Sequence, residues 1–94
     1  MNVFWLGEAE RDYLRIADYQ MQESPRQAVR VLDRIDAAAK NLADFPDRFR
    51  RGPEPGTRER VVQGLPYILV YRMQDDFVEK LSIFHAAQDR PCGG

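Results

Sequence analysis

The side chains best suited to chemistry lie in the second half of the chain and could bind and protonate a phosphate group. The donor fork of arginine matches a phosphate, and the candidates for that contact are Arg58, Arg60 and Arg72. Glu59 could serve as a general base, and His85 as a general acid because imidazole exchanges protons near neutral pH. The alternative is structural. Arg58 and Glu59 could pair or anchor the loop, and His85 could end an apolar strand with its nitrogens satisfied locally.

A short stretch in the middle of the chain concentrates the positive charge. Residues 48–60 hold five arginines against two acids, whereas the whole chain has 14 Lys and Arg against 15 Asp and Glu. The five are Arg48, Arg50, Arg51, Arg58 and Arg60. Three prolines and two glycines between positions 46 and 57 predict a loop here. The loop could bind an acidic protein segment or a target, or it could be a solvated surface whose charges contribute little.

Length and composition exclude several classes of protein. The 94 residues suffice for one domain. A content of 44% hydrophobic and 31% charged residues is typical of a folded chain and not of a disordered one. A formal net charge of −1 argues against a surface that binds nucleic acid over its whole extent, because such surfaces carry a clustered positive excess.

The sequence predicts no metal site and no cofactor. Cys92 is the one cysteine and His85 the one histidine, too few for a closed zinc shell, and no glycine-rich nucleotide motif is present. A lone cysteine fits a reducing compartment, and residues 1–8 lack the pattern of a secretion signal or a membrane span. We therefore expect a cytoplasmic protein with no membrane partner and no small-molecule substrate.

Apolar periodicity predicts two helices in the first half of the chain. Residues 3–6 form a short β-prone run. From residue 8 to about residue 22, apolar side chains recur at spacings of three and four, which predicts a first helix. Ser24 and Pro25 are typical of a second helix start, because serine can cap and proline suits the first turn. That helix continues to residue 45, and Pro46 ends it.

The second half predicts strands. β-branched and aromatic residues indicate strands at 60–63, 67–73 and 77–85, and the short turns between them make the strands antiparallel. We predict an α+β fold in the order β-α-α-β-β-β, with an N-terminal helical hairpin packed on an antiparallel sheet whose other face is partly open. The single domain would cover residues 1–88, and residues 89–94 would form a flexible tail.

Alternation and aromatic positions predict which side chains are buried. In the last strand, alternation predicts that Leu81, Ile83 and His85 point to one face of the sheet. Lys80, Ser82 and Phe84 are predicted to point to the other. Aromatic residues at apolar positions are expected in the core: Phe4, Trp5, Tyr13, Tyr19, Tyr67 and Tyr71. Tyr67 and Tyr71 could alternatively stack on a nucleobase.

Several spaced motifs occur along the chain. They are Gly56-Thr57-Arg58-Glu59-x-Val61-Val62, Gly64-x-Pro66-Tyr67-Ile68-Leu69-Val70-Tyr71-Arg72 and Val78-x-x-Leu81-x-Ile83-Phe84-His85-x-x-Gln88. Tyr19, Pro25-x-x-Ala28 and Phe45-Pro46 accompany them. From about Trp5 to His85 the chain thereby resembles the RelE/ParE superfamily of bacterial type II toxins.

The resemblance implies a small toxin, active in growth inhibition and plasmid stabilisation, that a cognate antitoxin neutralises. RelE-like members are similar to ribosome-dependent endoribonucleases that cut mRNA. ParE-like members inhibit DNA gyrase and have no known hydrolytic chemistry. If the protein were a ribonuclease, the catalytic residues would be Arg58, Glu59, Arg72 and His85, and the partners would be the ribosome and mRNA.

The charge of the chain favours the gyrase inhibitor. A protein that works among ribosomal phosphates is expected to be strongly basic, and this chain is slightly acidic. We therefore expect a toxin that is not an enzyme. The antitoxin would cover the helical hairpin and the basic stretch of residues 48–60.

Overall fold

Two helices pack on one side of a five-stranded sheet in the computed structural model, which describes residues 2–86 apart from the side chain of Leu81. The elements are β1 (Asn2–Trp5), α1 (Gly7–Glu23), α2 (Pro25–Asp44), β2 (Arg50–Arg51), β3 (Thr57–Val61), β4 (Tyr67–Met73) and β5 (Phe77–His85). The predicted α+β class is confirmed, and so is the helical hairpin. The tail predicted for residues 89–94 lies outside the described residues.

The sheet has the strand order β1-β5-β4-β3-β2. Strands β2 to β5 pair antiparallel, as expected of neighbours joined by short turns. The sheet as a whole is mixed, because β1 lies parallel to β5, from Asn2 opposite Phe77 to Trp5 opposite Lys80. The two intervening helices provide the long connection that a parallel pair needs.

The segment predicted as one loop contains part of the sheet. Arg50–Arg51 forms a two-residue strand against β3, and β3 begins at Thr57, three residues before the predicted start at Arg60. A two-residue strand surrounded by prolines and glycines has no periodicity of its own, so the turn chemistry of the segment hid it.

The helix boundaries follow the signals in the sequence. The Ser24 hydroxyl accepts a hydrogen bond from the Gln27 backbone N–H at 3.3 Å, and Pro25 occupies the first turn of α2. The helix ends at Asp44, just before Phe45-Pro46. Within residues 2–86 no helix combines the length and the apolar character needed to cross a bilayer.

The main core lies between the helices and the sheet. Its fully buried large side chains are Ile35, Leu42, Val62, Leu69, Tyr71, Val78 and Ile83. We call the side of the sheet that contacts the helices the inner face and the opposite side the outer face. Ile68, Val70 and Phe84 form a smaller buried cluster on the outer face.

A β-bulge in β5 changes the predicted faces. Tyr71 lies opposite Lys80 and Val70 lies opposite Ser82, so one residue of β5 is left without a partner between them. Lys80 therefore shares the inner face with Ile83 and is buried, although simple alternation placed these two residues on opposite sides. That part of the sequence prediction is wrong, because alternation cannot count an inserted residue.

Four of the six aromatic predictions agree with the structure. Tyr67 and Tyr71 are buried in the core, and Trp5 and Tyr13 pack partly buried against it. Phe4 and Tyr19 are 51% and 57% exposed, so their assignment to the core is wrong. Phe4 projects from β1 on the outer face, where its ring contacts Phe77 edge-on, and Tyr19 lies on an exposed side of α1.

Candidate functional site

Two arginines of β3 hold the chain segment that precedes β2. Arg58 and Arg60 lie opposite Tyr71 and Leu69, which places them on the inner face of the sheet, beside the helices. The Arg58 guanidinium donates to the Phe49 backbone carbonyl at 2.7 Å. The Arg60 guanidinium lies 4.4 Å from the centre of the Phe49 ring. Both side chains therefore anchor the basic stretch to the sheet.

The remaining arginines of the basic stretch are exposed. Arg50 donates from Nε to Glu59 at 2.8 Å, and the carboxylate of this pair is largely shielded from solvent. Arg48 lies over the Phe45 ring at 4.9 Å, and Arg51 stands opposite Arg58 in the ladder. The sequence allowed Arg58 and Glu59 to pair with each other, but consecutive strand residues point to opposite faces, and Glu59 pairs with Arg50 instead.

The four residues named for acid–base chemistry occupy two faces of the sheet. Glu59 and Arg72 share the outer face as diagonal neighbours, with backbones about 7–8 Å apart. Arg58 and His85 lie on the inner face, where their partners in β4 are Tyr71 and Tyr67. Those partners are four residues apart, or about 13 Å along the strand. The structure thus brings Glu59 to Arg72 and separates both from His85.

His85 lines a cleft near the start of β4, where its strand partner is Tyr67. The cleft holds about 480 Å³, and its walls include Tyr19, Gln20, Val31, Leu65, Tyr67 and His85. The imidazole meets the Tyr67 ring edge-on at 5.6 Å. The Gln20 side-chain amide donates to the Tyr67 hydroxyl at 3.2 Å. A hydrogen bond to Glu23 raises the pKa of the exposed Tyr19 hydroxyl.

Lys80 is a buried cation that the sequence did not single out. It is 3% exposed, and its Nζ lies 3.3 Å from the centre of the Trp5 ring. Burial lowers the pKa of this amine to about 8, and the nearby Asp36 carboxylate opposes the shift. A lysine in an apolar strand could have been noticed, because Lys80 shares the inner face with Val78 by simple alternation and the bulge follows it.

Asp12 links the helical hairpin to the sheet. Strand β1 ends opposite Lys80, so β5 has no strand neighbour on that edge beyond this point within the described residues. The Asp12 carboxylate accepts a hydrogen bond from the Ile83 backbone N–H there, at 2.9 Å. The signal for Asp12 was its position three residues after Ala9 on the apolar stripe of α1, a place where a polar residue needs a buried partner.

The described part of the chain contains no group of three His, Cys, Asp or Glu side chains that could hold a metal ion. Cys92 lies outside the described residues. The prediction that the protein uses no metal and no cofactor therefore stays a prediction.

Comparison with known proteins identifies the family. Residues 3–90 match the family described as the ParE toxin of type II toxin-antitoxin system, parDE. Y4kP of Sinorhizobium fredii is 39% identical over 87 residues, covering 93% of this chain and 90% of that protein. Toxin RelE2 of Caulobacter vibrioides is 36% identical over 86 residues, covering 92% and 96%.

Solved structures show the same fold. The chromosomal ParDE toxin-antitoxin system from P. aeruginosa matches with a TM-score of 0.83 at 22% identity, over 90% of this chain and 95% of that one. The toxin-antitoxin complex RelBE2 from Mycobacterium tuberculosis matches with a TM-score of 0.62 at 24% identity, over 93% and 92%. The family match over nearly the whole chain decides the assignment: the protein belongs to the ParE toxin family of type II toxin-antitoxin systems, within the RelE/ParE superfamily.

Proposed function

We propose that this protein is a cytoplasmic toxin that inhibits DNA gyrase and is neutralised by an antitoxin encoded beside it. The observation that carries the choice of target is the separation of the acid–base residues. RNA cleavage needs a base and an acid on either side of one phosphate. Glu59 lies on the outer face in an ion pair with Arg50, and His85 packs against Tyr67 on the inner face. Inhibition by binding needs no such assembly.

The net charge supports the same target. The chain carries a formal charge of −1, and five of its 14 basic residues fall within residues 48–60. Of those five, Arg50 makes an ion pair, Arg58 donates to a backbone carbonyl, and Arg48 and Arg60 each lie over a phenylalanine ring. A chain without a net positive charge is ill suited to the phosphate-rich interior of a ribosome.

The alternative function is ribosome-dependent mRNA cleavage. It draws support from the outer face, where Glu59 as a base and Arg72 as a phosphate clamp are diagonal neighbours. It also draws support from the name of one relative, RelE2 of Caulobacter vibrioides. In that case Arg58, on the inner face, would contribute only by holding the basic stretch in position.

Parallel assays separate the two targets. The purified toxin would be added to gyrase in a supercoiling assay and to programmed ribosomes in an mRNA cleavage assay. We expect loss of supercoiling without cleavage. Cleavage of mRNA with unaffected supercoiling would reject the gyrase proposal.

Two variants sharpen the comparison. His85→Phe keeps an aromatic ring against Tyr67 but cannot transfer a proton, and Glu59→Gln keeps the size of the side chain but removes a base. A gyrase inhibitor should retain its activity in both. A ribonuclease that uses these groups should lose about a hundredfold or more in rate. His85→Ala is the companion that also removes the ring, so its thermal stability must be compared with that of His85→Phe.

The antitoxin would contact the helical hairpin and the basic stretch. The helices expose Leu14, Tyr19, Met21 and Val29, and Arg48 and Arg51 are exposed beside β3. The two similar solved structures are of a toxin-antitoxin system and a toxin-antitoxin complex. An extended antitoxin segment that folds on contact could cover such a discontinuous surface.

Salt dependence tests the placement on the basic stretch. Changing Arg48 and Arg51 together to Gln should weaken the complex and flatten the dependence of affinity on salt concentration. The same two positions changed to Lys keep the charge and serve as the matched control. Equal affinity of the Gln and Lys proteins at several salt concentrations would place the antitoxin elsewhere.

A further inference from the structure

A shallow cleft between α2 and the end of β3 is lined by two guanidinium groups. It holds about 480 Å³, and its lining consists of Arg34, Ala37, Ala38, Asn41, Arg60 and Gln63. None of these lining residues is acidic. In the part of the chain that the structure describes, neither Arg34 nor Arg60 makes an ion pair. The two positive charges share a polar cleft with a small apolar floor.

The Arg60 guanidinium lacks an acceptor that it needs. Its Nε is buried and has no hydrogen-bond partner within residues 2–86. Stacking on the Phe49 ring fixes the plane of the group but supplies no hydrogen-bond acceptor. A buried donor without an acceptor is unfavourable, and a charged one more so. The guanidinium is therefore held in place with its hydrogen-bonding capacity incompletely used.

Arg34 is held at the other side of the cleft. Its Nη1 donates to the Gln63 carbonyl at 3.1 Å. Gly64 follows in the left-handed region, with φ of +78°, and a Cβ there would lie 2.5 Å from Nη1 of Arg34. The glycine thus permits the turn and the close approach of the arginine. The backbone of the β3–β4 turn positions Arg34 toward the cleft.

We propose that this cleft binds a carboxylate side chain from an acidic segment of the antitoxin. A carboxylate between the two arginines could accept hydrogen bonds from the terminal Nη groups of both guanidiniums at the same time, whereas the buried Nε of Arg60 stays out of its reach. The proposal rests on the proposed function for the identity of the partner. It goes beyond the basic stretch of residues 48–60, because it extends the contact to α2 through Arg34, a residue that no sequence motif singled out.

A peptide carboxylate fits the cleft better than a nucleic-acid backbone. A phosphodiester chain carries one charge per nucleotide and is bound by an extended track of basic residues. Here two arginines stand together in a cleft with room for one or two side chains, and α2 carries the acidic Asp33 and Asp44 on its exposed surface. One carboxylate is the ligand that two isolated guanidiniums match.

The test measures binding of the protein made by the adjacent gene to the full-length toxin by calorimetry. Arg34→Gln and Arg60→Gln should each weaken binding by about tenfold or more, because each removes a charge-assisted contact. Arg30→Gln is the matched control. Arg30 is exposed, lies one turn before Arg34 on α2 and does not line the cleft, so its change should weaken binding by less than about threefold.

Arg60→Gln could also loosen Phe49, so thermal unfolding of every variant is measured beside its affinity. Arg34 contacts an exposed turn, so the affinity of Arg34→Gln decides the test if Arg60→Gln unfolds. Wild-type affinity in Arg34→Gln would reject the cleft as the binding site but not the antitoxin as the partner. Absence of binding by the wild-type toxin would overturn the partner and the proposed function together. If a short single-stranded RNA competes with the antitoxin, and if this competition needs Arg34, the ligand of the cleft is a phosphodiester and not a carboxylate.

Discussion

Asp12 joins α1 to the sheet through one hydrogen bond, and its removal should be costly. The Asp12 side chain is 13% exposed, accepts from the Ile83 N–H at 2.9 Å and also pairs with Arg15 at 3.1 Å. A hydrogen bond to a charged group contributes about 1.5–3 kcal/mol, and leaving the N–H unpaired adds to the loss. The exposed ion pair with Arg15 contributes at most about 1 kcal/mol. Asp12→Ala should therefore lower the free energy of unfolding by about 2–3 kcal/mol.

Urea and thermal unfolding followed by circular dichroism would measure this loss. For a domain of this size, about 2–3 kcal/mol corresponds to a fall in Tm of roughly 8–24 °C. Arg15→Ala is the matched control, with an expected loss below about 1 kcal/mol. Asp12→Asn keeps an acceptor oxygen and should fall between the two. If the free energy of unfolding of Asp12→Ala lies within about 0.5 kcal/mol of the wild-type value, the hydrogen bond to Ile83 does not stabilise β5. The same conclusion follows if Arg15→Ala loses as much stability as Asp12→Ala.

Two further predictions concern buried titratable groups. The pKa of Lys80 is lowered from 10.5 to about 8 in the folded state, so the unfolded chain binds the extra proton between about pH 8 and pH 10.5. The free energy of unfolding should therefore rise with pH over that interval. Lys80→Met should abolish that rise, and an unchanged pH profile in this variant would exclude Lys80 as its source. The Tyr71 hydroxyl donates to the Pro46 carbonyl at 2.5 Å, and burial raises its pKa to about 12. Tyr71→Phe should therefore lower the free energy of unfolding, measured in urea, by about 1–2 kcal/mol. Tyr19→Phe, at an exposed position, should change it by less than about 0.5 kcal/mol, and equal losses in the two variants would contradict the role of the Pro46 contact.

Local signals in the sequence were sufficient for the helices and for three strands. Ser24 and Pro25 determine a helix start through contacts within one turn. β4 is a run of mostly apolar residues whose types favour a strand over other structures. The parallel pairing of β1 with β5 joins residues more than seventy positions apart, which no local pattern encodes. The exposure of Tyr19 could not be predicted from local sequence either, because the width of the buried stripe on α1 depends on how the helix packs against the sheet.

The candidate site could be predicted in residue type but not in arrangement. Arg58, Glu59, Arg72 and His85 were all singled out from the sequence, but the sequence could not distribute them between the two faces. Arg34 carried no signal at all, because its place in the same cleft as Arg60 depends on its contact with the turn at Gln63 and Gly64. Residues far apart in the chain form the cleft, so only the tertiary structure reveals it.

The bulge in β5 links the geometry of the sheet to the proposed function. Simple alternation from the buried Lys80 would carry Ser82 and Phe84 to the inner face and His85 to the outer face, together with Glu59 and Arg72. The extra residue between Lys80 and Ser82 reverses this order, so His85 faces Tyr67 and the helices. The register that would place His85 on the same face as Glu59 and Arg72 would also move Ile83 out of the main core and put Ser82 in its place. Burial of Ile83 favours the bulged register, and the same register that completes the core keeps the imidazole away from the carboxylate.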